Sequence, residues 1–163
     1  MRNSWIFIFP LLIIIAMVYL VMFDNESQNK VATKLTLKQE QAIELLGELN
    51  GDEQTIAHYM NDEEMMSAMR VIFISNCSEC HGIEGTGIAG SNLCDDSYTV
   101  VKQLPDIVES ITKGNIKLGM TPFEGVLSKT KIVLLASYVA NLRGSSQIGK
   151  YPEGVPIDPW PTN

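Results

Sequence analysis

The sequence lacks internal repeats, which excludes a solenoid or an array. It also lacks any alternating apolar run bounded by turns, so no stretch reads as a strand. Thiols and imidazoles are few: three cysteines and two histidines in 163 residues. An odd thiol count is a poor basis for a disulfide framework. No nucleophile sits beside a base, no glycine loop is built for phosphate, and no paired carboxylates share a plausible pocket. Basic residues are scarce in one region, with twelve acids against Arg70 alone over 39–96. The net charge of −7 argues against a nucleic-acid partner.

Charge is missing altogether from "WIFIFPLLIIIAMVYLVMF", residues 5–23. Nineteen helical residues reach about 28 Å, close to the hydrocarbon thickness of a bilayer. No small-residue cleavage site follows, and the run is longer than the core of a signal peptide. The sequence therefore predicts an uncleaved single-pass anchor over 1–23 in the cytoplasmic membrane. Arg2 and the amino terminus form a short cationic flank that favours staying inside, against a weaker opposing pull from Lys30, Lys34 and Lys38, so the rest of the chain is expected on the periplasmic, extracytoplasmic side. Residues 24–60 read as a linker holding an amphipathic helix over 36–50, with Ala42, Leu45, Leu46 and Leu49 on one face. One domain is expected over 61–144, and a proline-rich tail without regular structure over 145–163.

Within that domain the pattern is all-α. A helix is expected from Asn61 or Asp62, with acids in its first turn, running into the cysteine motif. A second covers 105–114, with Pro105 near its start and Gly114 at its end. A third covers 128–144, capped by Ser128 and stopped by Gly144; its face of Ile132, Leu135, Ala136, Val139 and Leu142 must be buried. Residues 82–97 and 115–125 read as loops.

The chemistry concentrates in "SNCSECHGIEGTG", residues 75–87. Cys-x-x-Cys alone fits a redox dithiol, but such motifs accompany a βαβ pattern, which is absent here. Cys77, Cys80 and Cys94 with His58 or His81 would make a zinc-stabilised structural module, at a spacing unlike paired zinc knuckles. His81 directly after Cys80 shifts the balance, because C-x-x-C-H is the attachment signature of a c-type haem. Residues i and i+3 share a helix face, so both sulfurs can reach one side of a porphyrin. A second axial ligand must come from elsewhere. Met120, in the loop "LGMTPF", is the leading candidate and His58 the competitor. Met60, Met65, Met66 and Met69 read as core filler, and Cys94 as a small buried hydrophobe.

Taken with "SNLCDD", "ITKGNIKLGMTPFEGVLS" and "IVLLASYVANLRG" in that order, the motif makes residues 69–144 resemble class I cytochromes c. They look closest to the haem modules of subunit III of cbb3-type oxidases. The resemblance implies one covalent haem c on Cys77 and Cys80, with His81 and Met120 on the iron. It implies that Asn92 and Leu93 line the pocket, and that the helix ending at Leu142 crosses the helix carrying Phe73. Ser91 stands where the family usually has proline, and its carbonyl is expected to support the axial histidine. Met69 stands where the family often has glycine. Subunit III normally has two haem modules, whereas this chain has one C-x-x-C-H.

The resulting expectation is a membrane-anchored monohaem electron carrier. With both axial positions filled, it is no enzyme by itself and takes no small-molecule substrate. Its partners are redox proteins such as a terminal oxidase or a quinol-oxidising complex. The alternatives are a fixed subunit of another membrane dehydrogenase or reductase complex, or the zinc module. Lys113, Lys117, Lys129 and Lys131 flank Met120 and form a candidate docking rim for an acidic partner.

Overall fold

A computed structural model describes residues 12–15, 17–19, 37–146 and 148–161. The chain divides into two compact units, Met1–Gln41 and Ala42–Asn163. In the first, residues 12–15 and 17–19 are helical and exposed. The remainder of the expected anchor, and residues 24–36 of the expected linker, lie outside the described residues. Among the described residues no helix is long and apolar enough to cross a membrane.

Helix α1 covers residues 37–45 and stops sooner than its apolar spacing predicts. Tight turns at Leu46 and Gly47, whose φ is 68°, end it. The expected face is buried only in part: Ala42 and Leu49 pack against the core beside the buried Ile43, while Leu45 is 87% exposed. Helix α2, Glu53–Tyr59, falls inside the segment expected to be linker. The Asp52 carboxylate caps it by accepting from Thr55 N–H at 2.8 Å, and Ile56 and Ala57 are its buried residues.

Helix α3, Glu63–Asn76, begins where its acids predict. Asp62 accepts from the Met65 N–H at 3.0 Å, and Glu63 and Glu64 occupy the first turn. Met65, Met66, Ala68, Met69 and Phe73 are buried. A single residue, Cys77, separates it from the short helix α4, Ser78–His81. Helix α5, Leu104–Lys113, has a reciprocal cap between Gln103 and Asp106 and ends at Gly114. A 3₁₀ turn, Ile116–Leu118, follows.

Helix α6, Lys129–Leu142, is the centre of the unit. Ser128 Oγ caps it by accepting from Lys131 N–H at 3.3 Å. The predicted face is buried, and so are Val133, Leu134, Ser137 and Ala140 on the other sides. A helix apolar all round must be surrounded, and α2, α3 and α5 each pack against it. The Phe73 and Tyr138 rings meet with centroids 5.3 Å apart where α3 and α6 pack. The buried Ser137 hydroxyl is satisfied by donating to the Val133 carbonyl at 3.1 Å.

The tail departs from expectation. Val155–Pro156 (β2) pairs antiparallel with Ser97–Tyr98 (β1), in the register Ser97↔Pro156 and Tyr98↔Val155. Proline is tolerated there because the strand is an edge. Arg143, whose side chain is only 8% exposed, fixes the tail. Its guanidinium donates to Asp96 Oδ1 at 2.7 Å and to the carbonyls of Ile157 and Asp158, each at 2.8 Å. It also lies 4.8 Å from the Trp160 ring centroid. Trp160 docks on the unit's own surface and donates from Nε1 to the Ala140 carbonyl at 3.2 Å. Tyr151, the other aromatic of the tail, is 89% exposed.

Lysine lacks the planar fork that serves these three acceptors. Arg143→Lys is expected to cost about 2 kcal/mol, the net worth of two hydrogen bonds to backbone carbonyls. Denaturant titration checks the loss, and limited proteolysis should cut the tail sooner; an unchanged midpoint would mean that the tail does not depend on the guanidinium.

Candidate functional site

The motif sits where α3 runs into α4. Cys77 N–H donates to the Phe73 carbonyl at 2.8 Å, and His81 N–H to the Cys77 carbonyl at 2.9 Å, so Cys77–His81 is one helical turn. Cys77 and Cys80 are therefore i and i+3 neighbours on one face. Both thiols are free; Cys77 is half-buried and Cys80 exposed. Burial, with a smaller contribution from Cys80, pushes the Cys77 thiol up to about 11. Burial disfavours the charged thiolate.

After His81 the chain folds back on the motif. The Cys80 carbonyl accepts from both Ile88 N–H at 2.9 Å and Gly90 N–H at 2.8 Å, and Gly87 N–H donates to the His81 carbonyl at 2.7 Å. Gly90 then lies flat against the imidazole. A Cβ there would stand 2.8 Å from Cε1 and 2.9 Å from Nδ1 of His81, so only glycine fits. His81 Nδ1 meets the Ser91 carbonyl at 2.8 Å. A carbonyl only accepts, which makes Nδ1 the protonated nitrogen and leaves the Nε2 lone pair for a metal. Serine supplies this carbonyl as proline would.

Asn92 is buried, and its polar atoms are used within the loop: Oδ1 accepts from Cys94 N–H at 2.9 Å, and Nδ2 donates to the Lys150 carbonyl at 3.2 Å. Leu93 is partly buried against the core. Cys94 is 1% exposed and hydrogen-bonds the Glu84 carbonyl through Sγ at 3.2 Å, as a small core residue would. Cys77, Cys80, His81, Asn92 and Leu93 thus belong to one turn and the loop that closes on it.

Met120 stands on a separate loop, partly buried against the same core. Its N–H donates to the Asn115 carbonyl and its carbonyl accepts from Asn115 N–H, both at 2.9 Å. Gly114, with φ of 65°, lies directly beneath. A Cβ there would come within 2.6 Å of the Met120 carbonyl and the Pro122 nitrogen. His58, the competing ligand, is exposed on α2, its ring 5.0 Å from that of Tyr59.

Can these residues take a porphyrin? Large apolar side chains stand exposed in the loops after the motif and around Met120: Ile83, Ile88, Ile116, Leu118 and Val126, with Ile116 at 81%. These loops therefore leave apolar side chains available to an apolar group. Free thiols at the attachment spacing, a histidine with its Nε2 unused, and uncovered hydrocarbon together fit a haem. They do not fit zinc. Among the described residues no three His, Cys, Asp or Glu side chains gather to hold a metal ion.

The basic rim is weaker than the sequence implies. Lys113 pairs with Glu109 and Lys129 with Glu48, each at 2.6 Å. Glu109 holds the Lys113 ammonium above its usual range. These exposed pairs add little stability, but they neutralise much of the local positive charge.

The family model described as cytochrome c oxidase, cbb3-type, subunit III, matches residues 64–139. The chain is 29% identical over 180 residues to the cbb3-type cytochrome c oxidase subunit CcoP of Azospirillum sp. (strain B510), across 92% of this chain and 61% of that protein. It is 37% identical over 86 residues to subunit FixP of Azorhizobium caulinodans, across 47% of this chain and 29% of that protein. The chain thus spans about three-fifths of one of these relatives and under a third of the other. The crystal structure of cytochrome cL from Methylophaga aminisulfidivorans aligns with a TM-score of 0.47 at 32% identity, covering 50% of this chain and 55% of that one. The fold is mostly helical, and over residues 64–139 the chain is similar to the cytochrome c domains of cbb3-type oxidase subunit III.

Proposed function

We propose that this chain carries single electrons, by way of one covalent haem c, to or within a terminal oxidase outside the cytoplasmic membrane. The observation that carries the reading is the motif turn: two free thiols at i and i+3, followed by an imidazole whose Nδ1 is engaged and whose Nε2 is available. In this reading Cys77 and Cys80 hold the haem, and His81 and Met120 bind its iron. Asn92 and Leu93 line its pocket. When bound, the haem supplies a reversible one-electron couple. The chain's own residues set its surroundings. Donation from Nδ1 to Ser91 makes the His81 imidazole a stronger ligand. The paired backbone bonds to Asn115 hold Met120 in place, and the apolar side chains exclude water. Both axial positions are then filled, so no substrate reaches the iron and the chain is a carrier. That the relatives are named as cbb3-type oxidase subunits supports a terminal oxidase as partner, with the chain as a subunit or a tethered donor. The apolar run 5–23 supports a single-pass anchor with the haem domain outside.

Replacing both motif cysteines by serine (Cys77→Ser with Cys80→Ser) is expected to abolish haem staining on a denaturing gel, because only a covalently held haem survives there. Staining that persists in the double variant would reject attachment at these two sulfurs.

Met120→Ala is expected to open the sixth position, so that the reduced protein binds carbon monoxide. Met120→His should stay low-spin with a lower midpoint potential, imidazole being a harder donor than thioether. If Met120→Ala changes neither the spectrum nor ligand binding, another residue is the ligand, and His58 is tested next.

The anchor makes a separate prediction. A version of the chain starting at Lys34 behind a cleavable export signal is expected to be soluble and to carry haem. The full chain should resist extraction by salt and carbonate. Mature protein beginning after residue 23 would instead identify a cleaved signal.

A further inference from the structure

His81 takes its orientation from Ser91, and Ser91 is itself held from a distant part of the chain. The Ser91 hydroxyl donates to Glu153 Oε2 at 2.8 Å, across 62 positions of sequence. Glu153 in turn pairs with Lys150, Nζ to Oε1 at 2.8 Å. Lys150, and then Ser91, keep the Glu153 carboxyl below the usual carboxylate range, so it is an ionised acceptor at neutral pH. Lys150 touches the same loop at four further points. Its Nζ donates to the carbonyls of Ala89 at 3.2 Å and Gly90 at 3.4 Å. Its N–H donates to the Thr86 carbonyl at 2.8 Å, and its carbonyl accepts from Asn92 Nδ2 at 3.2 Å. The approach is close: a Cβ on neighbouring Gly149 would lie 2.6 Å from the Thr86 carbonyl.

The geometry points to Lys150–Glu153 as a strap that positions His81, with Glu153, through Ser91, setting where the carbonyl that accepts from Nδ1 stands. The inference deepens the proposed function and rests on its reading of His81 as an iron ligand. Glu153 is a positioning residue, since it acts on the imidazole only through Ser91. A merely structural tail would need none of this. Arg143, Trp160 and the β1–β2 pairing anchor the tail farther along, independently of Glu153. The Lys150–Glu153 pair is partly exposed and contributes little to stability. Removing the carboxylate should therefore leave the fold closed, freeing Ser91 and unpairing the Lys150 ammonium, which keeps its backbone bonds to the loop. A longer or bent Nδ1–H···O bond makes the imidazole a poorer donor. That favours the reduced iron and raises the midpoint potential.

The test uses the full haem-loaded chain, with potentiometric titration and exchange of the His81 Nδ1 proton followed by NMR. Glu153→Ala and Ser91→Ala are each expected to raise the potential by the same amount, and the double variant no further. Either change should speed Nδ1 proton exchange about fivefold to tenfold, the equilibrium factor for one net hydrogen bond. Glu153→Gln keeps an acceptor for Ser91 and should match the unsubstituted chain, while thermal midpoints barely move. If Glu153→Ala does not fold, Ser91→Ala, which deletes a single hydroxyl, decides the matter. Unchanged potential and exchange in a haem-bearing variant overturn the strap alone, as does Glu153→Gln behaving like Glu153→Ala. A chain that takes up no covalent haem, or whose spectrum ignores replacement of His81, overturns the underlying reading and the strap with it.

Discussion

Everything in the unit Ala42–Asn163 depends on giving α6 a full coat. Residues 132–140 are buried without interruption, and no lone helix can remain so in water. Exposing its large apolar side chains would cost about 1.5–3 kcal/mol each. The remaining helices are arranged to meet that demand. α3 covers one side with methionines and Phe73, α5 another with Leu104, Ile107 and Ile111, and α2 a third with Ile56 and Ala57. The C-x-x-C-H turn follows directly from the end of α3, which packs on α6 through the Phe73–Tyr138 contact.

What could be read from the sequence follows the range of the interactions responsible. The start of α3 at Asp62, the capped α5 with Pro105 and Gly114, and α6 from Ser128 are set by residues within a turn of one another. All three could be read directly. So could the buried methionines and the buried Cys94, and the spacing of the motif. Helix α2 left no such mark, since seven residues with two buried side chains make no period. The partly exposed face of α1 has the same origin. Its spacing was counted through Leu49, but the helix ends at residue 45, so Leu45 points away from any core. The strand pairing of the tail was not legible. Four prolines describe a segment without local structure, and what orders it comes from Arg143, Trp160 and a strand some sixty residues upstream.

The candidate site shows the same division. Cys77, Cys80 and His81 are adjacent in sequence and were named from it. The Ser91 carbonyl was expected from resemblance, and the structure places it against Nδ1. Glu153 and Lys150 were invisible, because their relevance is created only by the fold. The lysine rim marks an opposite limit. Counting bases along 97–150 reported their number but not their partners, and Glu48 and Glu109 reach Lys129 and Lys113 from other parts of the chain.

The position of α6 along the chain has a temporal meaning as well. Lys129 comes 48 residues after His81, and a polypeptide is made from its N-terminus. The C-x-x-C-H segment is therefore complete before the helix that organises the core exists. α3 at that moment has nothing to lie against, and the burial that raises the Cys77 thiol has not begun. A haem joined to these sulfurs at that stage, in keeping with the proposed function, would meet them on an open chain. It would then be in place to serve as a surface on which the later half of the protein condenses.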